Sequence, residues 1–331
     1  MHFTKDSILI DPKTEVVKII ENIRSSVFNT MKKRGGVVGV SGGIDSSVVL
    51  ALTVKALGSD KVVAVMLPEK ESSGDNIKLV NQLLNKIGAG DIIETVSENI
   101  TDTLTGFGCY RRRDEAVKRI FPEYDSTYKM RIILPHNLLE GNNLNLFYLE
   151  IISPEGERKK TRLPVKEYLQ IVAASNFKQR SRMSMLYYHA ELRNYAVIGT
   201  PNKNEHELGF FVKYGDGGSD ITPIKHLFKT QVYQIADYLG IPAEIKKRIP
   251  TTDTYSAIQT QEDFFFRISF DLLDRIWIGL ENNISTDIIA SELKLTIEQV
   301  ENVIADIKRK INNTEYLRKS PIDIEPAIEL I

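Results

Sequence analysis

The sequence predicts an α/β fold, a doubly wound parallel sheet with a β-rich insertion and a helical C-terminal segment. Three observations carry that expectation. Short apolar runs that stop at Gly, Pro or polar residues alternate with segments of helical apolar spacing. One of those runs leads straight into a glycine and serine loop, "SGGIDSS", residues 41–47, placed before a helical pattern. The alternation then lapses over residues 108–166 and resumes.

In chain order, Val16, Val17, Ile19, Ile20, Ile23 and Val27 recur at helical spacing, so residues 13–33 read as a helix. "GGVVGVSGG" reads as a buried strand running into a turn, and "SSVVLALTVKALG" as a helix that closes on Gly58. "KVVAVMLP" is a short strand ended by Pro68, "DNIKLVNQLLNKIG" a helix, "DIIETVS" a strand, and "RNYAVIGT" a further buried strand stopping at a polar loop. Strands alternating with helices imply a parallel sheet whose ligands sit at the carboxyl ends of the strands.

Between these, "CYRRRDEAVKRIF" reads as a short basic helix, and "YKMRIILP", "LNLFYLEIISP" and "ERKKTRLP" as three strands with turns at "EGNN" and "PEGE". The expected domains are residues 1–107 and 167–275 for the two parts of the main sheet unit, 108–166 for the insertion and 276–331 for the helical segment. Within the last, "STDIIASELKLTIEQVENVIADIKRKI" has the outline of a DNA-binding helix pair, but its second helix carries no excess of basic residues, so plain packing is expected.

A formal net charge of -1 gives the whole chain no electrostatic reason to bind nucleic acid. No apolar run approaches the ~18 residues of a membrane span, and the N-terminus lacks the order of a signal peptide, so a cytoplasmic place is expected. The single cysteine, Cys109, excludes an internal disulfide and reads as a buried thiol.

The loop carries the chemistry. It has no lysine of the GxxxxGK[ST] kind for outer phosphates. Instead, the amides of Gly42 and Gly43, the hydroxyls of Ser41, Ser46 and Ser47 and the positive end of the following helix converge on one anion, a pyrophosphate. Asp45 repels bare phosphate, so its presence makes sense with a divalent cation between carboxylate and phosphate oxygens.

This loop resembles the signature of the ATP pyrophosphatase superfamily, whose fold is adenine nucleotide α-hydrolase-like and whose members cleave ATP between the α and β phosphates. Within it the chain resembles the ammonia-dependent NAD synthetase family through "NFKQRSRM", "VIGTPNKNEHELGFFVKYGDGGSDITPI", "LFKTQVYQIADYLGIP" and "IPTTD". The resemblance implies ATP as substrate and Mg²⁺ held by Asp45 and Glu205, with Lys229 on the phosphates. It places Thr200, Thr252 and Met66 beside ATP, and Arg180, Arg182, Tyr187 and Asp216 beside the dinucleotide. It also implies a homodimer and an adenylating reaction. Transfer of AMP to a carboxylate makes a mixed anhydride that ammonia attacks, with charge on departing pyrophosphate neutralised electrostatically and no side-chain nucleophile required.

The chain departs from the family on the acceptor side. "QTQEDFFFR" stands where the family has "QTDEEELG", which puts Gln261 and Phe264 to Phe266 where carboxylates and a glycine are expected, and "TEYLR" stands for "SEYKR". Arg111 and Arg113 of the insertion are therefore expected to pair with anionic groups of the acceptor. Amidation of deamido-NAD is the leading reading. An amide ligase for another carboxylate and a tRNA-modifying adenylating enzyme stay open beside it, as does a noncatalytic nucleotide sensor. Nitrogen is expected from free ammonia, with a partner glutaminase left open.

Overall fold

The first strand, β1 (Gly36–Gly39), sits at the centre of a four-stranded parallel sheet because its valines are buried on both faces. The computed structural model describes residues 3–72, 74–90, 93–134, 137–140, 146–252 and 254–322. Before β1 the chain makes α1 (Pro12–Arg24), capped by the Asp11 side chain on the Lys13 amide, and then a π-helical turn over Ser25–Thr30. The helix expected over 13–33 thus ends its regular α-helical part at Arg24.

From β1 the chain runs through α2 (Ile44–Leu57) to β2 (Val62–Met66), then through α3 (Asn76–Lys86) to β3 (Glu94–Ser97). The sheet order is β3, β2, β1 and β7 (Ala196–Ile198), all parallel. The chain therefore winds away from β1 on one side and returns on the other. The crevice between β1 and β7 is a switch point, where ligands of such sheets bind.

Helices cover both faces. On one, α1, α2 and α8 (Lys229–Leu239) share a core with Val38, Ala64 and Ile198. On the other, the 29-residue α6 (Val165–Arg193) lies with α4 (Thr101–Gly106) and the start of α5 (Cys109–Lys118) against Val37, Val63 and Val197. Cys109 is buried here, and burial pushes its thiol pKa up.

The expected insertion strands form: β4 (Lys129–Ile133), β5 (Tyr148–Ile152) and β6 (Arg158–Arg162) make an antiparallel sheet. It has no separate core. Met130, Ile132, Leu149 and Ile151 pack with Ala116 and Val117 of α5, Ile171 of α6 and Tyr255. The C-terminal helices α10 (Phe270–Glu281), α11 (Thr286–Leu293) and α12 (Ile297–Arg318) bury Ile289, Val300, Val303 and Ile307 with Phe228 and Phe266. Plain packing accounts for the apolar faces of the helix pair. Residues 141–143 of the expected "EGNN" turn, Asp91 and Ile92 of the expected strand, and Asp253 of "IPTTD" lie outside the described residues. Two short helices complete the main unit, α7 (Lys203–Leu208) after β7 and α9 (Ala243–Lys247) after α8.

Candidate active site

A cavity of about 490 Å³ opens at the carboxyl ends of β1, β2 and β7. This size is ordinary for a small-molecule site. Its floor is the loop between β1 and α2. Gly42 has a φ of +74°, in the left-handed region that favours glycine, and a Cβ there would meet Leu79 Cβ and Arg248 Nη1 at 3.3 Å. Gly43 is the N-cap of α2, and the first intrahelical bond runs from Ser47 N to Gly43 O. The amides of Ile44, Asp45 and Ser46 therefore have no partner inside the helix and, with the helix's positive end, favour an anion.

The loop's serines divide their work. Ser46 Oγ donates to Gly43 O at 3.1 Å and accepts from Ser41 N at 3.3 Å, which folds the loop, while Ser41 and Ser46 also border the cavity. Ser47, fully buried, donates to Gly43 O at 2.8 Å and does not line the cavity. Its hydroxyl braces the loop and does not face the anion.

Asp45, in the first turn of α2, accepts hydrogen bonds from Lys229 Nζ at 2.5 Å and from Asn202 Nδ2 at 2.9 Å. Asn202 and Glu205 form a capping box at the start of α7: Glu205 N donates to Asn202 Oδ1, and Asn202 N donates to Glu205 Oε2. That box fixes Glu205 beside Asp45. Burial, and then the charge of Asp45, push the Glu205 carboxyl up to about 8. Burial works to depress Lys229, but the carboxylates of Asp45 and Glu205 outweigh it and hold its pKa above the ordinary value. Lys229 is fixed in turn from below. Its amide donates to Asn204 Oδ1, Asn204 donates to Asp274, and Asp274 also accepts from Thr230 N and Oγ1.

Two carboxylates near one ammonium, with only Asp45 in contact with it, suit a hard cation whose remaining ligands are phosphate oxygens and water. Mg²⁺ binds in that way, through one or two carboxylates plus substrate phosphates. Among the described residues no cluster of three or more acidic, His or Cys side chains forms a ready-made metal cage.

The walls carry the other expected residues. Met66, Thr200, Thr252, Arg182 and Asp216 all line the cavity. Arg182 Nε donates to Leu67 O, and Asp216 accepts from Val212 N. Arg180 and Tyr187 do not border it: Arg180 donates to Lys213 O, and the Tyr187 hydroxyl donates to Asp220.

Nor do Arg111 and Arg113, for a reason of helix geometry. Two residues apart on α5, they point to opposite sides. Arg111 is exposed and pairs with Glu115 at 2.7 Å, whereas Arg113 is only 3% exposed and pairs with Glu71 at 2.7 Å and Asp114 at 2.9 Å. Arg113 belongs to a network that the sequence did not suggest. Lys178 Nζ donates to Glu69 at 3.0 Å and Glu71 at 2.7 Å, and the Tyr110 hydroxyl donates to Glu69 at 2.7 Å. Against the upward push of burial, Arg113 and Lys178 hold the Glu71 carboxyl down to about 2. This network ties α5 and α6 to the chain leaving β2.

The sequence reading also missed Asn202, Asn204 and Asp274. For Asn202 a signal existed, since "NKNE" is the spacing of a capping box.

The family model described as NAD synthase matches residues 15–118 and 149–321, which covers the loop, α7, α8 and the helices that bury Asp274. The chain belongs to the NAD synthase family. It is 43% identical over 328 residues to the NH(3)-dependent NAD(+) synthetase of Rhizobium meliloti, covering 99% of this chain and 96% of the relative. To that of Mesorhizobium japonicum it is 44% identical over 313 residues, covering 95% and 97%. Among solved structures, the NH3-dependent NAD synthetase of Campylobacter jejuni in complex with the nitrate ion shares the fold at a TM-score of 0.61 and 24% identity, covering 96% of this chain and 100% of that one. The NMN synthetase of Francisella tularensis does so at 0.63 and 22%, covering 95% and 99%.

The family model passes over residues 119–148, inside the insertion. The Rhizobium meliloti relative nonetheless aligns along 99% of the chain. The segment is thus shared with a protein bearing that name.

Proposed function

We propose that this protein is an ATP-dependent adenylating amide ligase that converts deamido-NAD and ammonia to NAD, releasing AMP and pyrophosphate. The observation that carries the reading is the Asp45, Lys229 and Glu205 cluster set under a helix N-terminus at the switch point of the sheet. Membership of the NAD synthase family and the relatives' curated names support the choice of acceptor.

The acceptor's carboxylate oxygen attacks the α-phosphorus of ATP, the bond to the bridging oxygen breaks, and pyrophosphate leaves. Ammonia then attacks the acyl carbon, the bond to AMP breaks, and the surplus proton passes to solvent. The amides at the start of α2 and the Ser41 hydroxyl hold the phosphates, with Met66, Thr200 and Thr252 on the nucleotide's flanks. Lys229 offsets charge on the departing pyrophosphate, and its position is set before reaction by Asp45 and Asn204, so little reorganisation is needed at that moment. Asp45 and Glu205 would hold Mg²⁺, which supplies positive charge to the phosphate oxygens when bound. Arg182 and Asp216, which line the same cavity, would contact the acceptor.

A homodimer belongs to the same proposal, supported by the exposed apolar Val165, Leu169, Tyr188 and Leu192 along α6. So does a cytoplasmic place, in keeping with the finding that no helix among the described residues is long and apolar enough to cross a membrane.

The test is incubation with ATP, Mg²⁺, ammonium and a panel of carboxylic acids that includes deamido-NAD, followed by mass spectrometry. NAD as the preferred amide supports the reading. Efficient amidation of another acid with none of deamido-NAD overturns the acceptor assignment.

A further inference from the structure

Three side chains that line the cavity have a buried polar atom with no hydrogen-bond partner among the described residues: Ser175 Oγ, Thr252 Oγ1 and Gln261 Oε1. A buried polar group without a partner calls for an explanation. The two hydroxyls can donate or accept, so either could serve the acceptor-rich phosphates and sugars of a nucleotide. The Gln261 carbonyl oxygen can only accept. It therefore marks a place where the occupant brings a donor.

The other end of the same side chain is fixed. Gln261 Nε2 donates to Glu205 Oε1 at 3.3 Å, and this bond orients the amide: with its nitrogen on the carboxylate, its oxygen is turned elsewhere. The backbone supports the arrangement, since Gln261 N donates to Pro250 O at 2.9 Å and the following π-helical turn, Glu262–Phe266, is anchored by Lys310 Nζ on Phe265 O at 2.7 Å. Gln261 is thus a rigid amide one hydrogen bond away from the carboxylate proposed to share the cation.

Of the reaction's participants, ATP, pyrophosphate and the acceptor's carboxylate present mostly acceptor oxygens at the reacting end. Ammonia presents three N–H donors and one lone pair. We infer that Gln261 Oε1 accepts a hydrogen bond from the attacking ammonia and so aims its lone pair at the acyl carbon. The inference rests on the adenylating reading proposed above. It also gives a physical meaning to the departure of "QTQEDFFFR" from the acidic family pattern. A carboxylate at this position would favour ammonium, which has no lone pair to attack with, and would add a negative charge against Glu205 and Asp45. A neutral amide oxygen holds the nucleophile without favouring its protonation.

The experiment separates the two half-reactions. Exchange of labelled pyrophosphate into ATP, in the presence of deamido-NAD and the absence of ammonia, reads adenylation alone. Amide formation with ammonium chloride as the varied substrate reads kcat/KM for ammonia. In Gln261→Met, which removes both hydrogen bonds, the ratio of amidation to exchange should fall by about 5- to 10-fold, the loss expected for one neutral hydrogen bond to a substrate. Taking the ratio removes any effect that passes only through Glu205. Gln261→Glu keeps an oxygen at the same reach but favours ammonium over ammonia, so its ratio should fall as well. An unchanged ratio in Gln261→Met overturns the inference, as does a ratio in Gln261→Glu equal to that of the unmodified protein. Thermal unfolding checks both variants, and Gln261→Ala replaces Gln261→Met if the latter does not fold. Absence of exchange in the unmodified protein is a different outcome, and it overturns the adenylating reading itself.

Discussion

Two partly buried glutamates sit in different charge clusters, and their carboxyls are driven in opposite directions. Glu205 lies near Asp45, which holds the one ammonium, Lys229, and its carboxyl is pushed up to about 8 by burial and by the neighbouring charge. Glu71 lies between Arg113 and Lys178, each held at 2.7 Å, and its carboxyl is held down to about 2. The first cluster is short of positive charge, and it faces a cavity floored by free amides. In the second, both cations bridge two carboxylates, and Tyr110 satisfies Glu69 further. Similar side chains thus form a ligand site where one carboxylate, Glu205, has no cation in contact, and a scaffold where every carboxylate is held by a cation.

Substitutions should separate the two roles. The largest effect is expected in Arg113→Met, which leaves the partly buried Glu71 with Lys178 alone and takes the guanidinium from Asp114, and should cost about 3 kcal/mol of folding stability in denaturant titration. Turnover per folded molecule should change little. A loss of turnover without a loss of stability would put Arg113 in the reaction. Asp45→Asn should do the reverse, cutting turnover by at least ~100-fold through lost charge stabilisation while the unfolding midpoint stays near that of the unmodified protein. Near-normal AMP formation in that variant would remove Asp45 from the proposed cation site.

The Glu71 carboxyl sets a pH window. Its folded-state pKa lies below its ordinary value of 4.5, so its contribution is full above about pH 4.5 and is lost as pH falls towards 2. Glu71→Gln should therefore show a flatter stability curve over that range, by about 2 kcal/mol, in chemical unfolding followed by circular dichroism. Equal slopes would mean that the network does not hold the carboxylate in solution. The smallest effect belongs to Arg111→Ala, which breaks an exposed pair within one helix turn and should change stability by no more than about 0.5 kcal/mol, with the acceptor's KM unmoved. A rise of several-fold in that KM would restore the insertion's basic helix as a substrate contact.

Much of the fold was legible because it rests on short-range patterns. The strand at 36–39, the glycine loop and the apolar helix after it follow one another within a few residues, and local periodicity reports such units well. Asp45 could be identified for the same reason, since its role depends on a helix start that the loop announces. Glu205 and Lys229 were reached only through a family resemblance, because their meeting with Asp45 spans well over 100 residues of sequence. Arg113 was misjudged from a run of three arginines, "RRR", because sequence proximity does not say which face of a helix each residue takes. Glu71, the partner of Arg113, lies on the segment after β2, and Lys178, which also binds Glu71, lies on α6, so no local pattern connects them. The three-stranded insertion was visible as strands, but its sharing of one core with α5, α6 and Tyr255 was not, since that is a matter of long-range packing.

The central claim is that the Asp45, Lys229 and Glu205 cluster at the end of β1 serves cleavage of ATP between its α and β phosphates. Phosphorus NMR of a reaction with ATP, Mg²⁺, ammonium and deamido-NAD tests it most directly. The account predicts AMP and pyrophosphate appearing in equal amounts with the amide product; ADP and inorganic phosphate as the main products would contradict it.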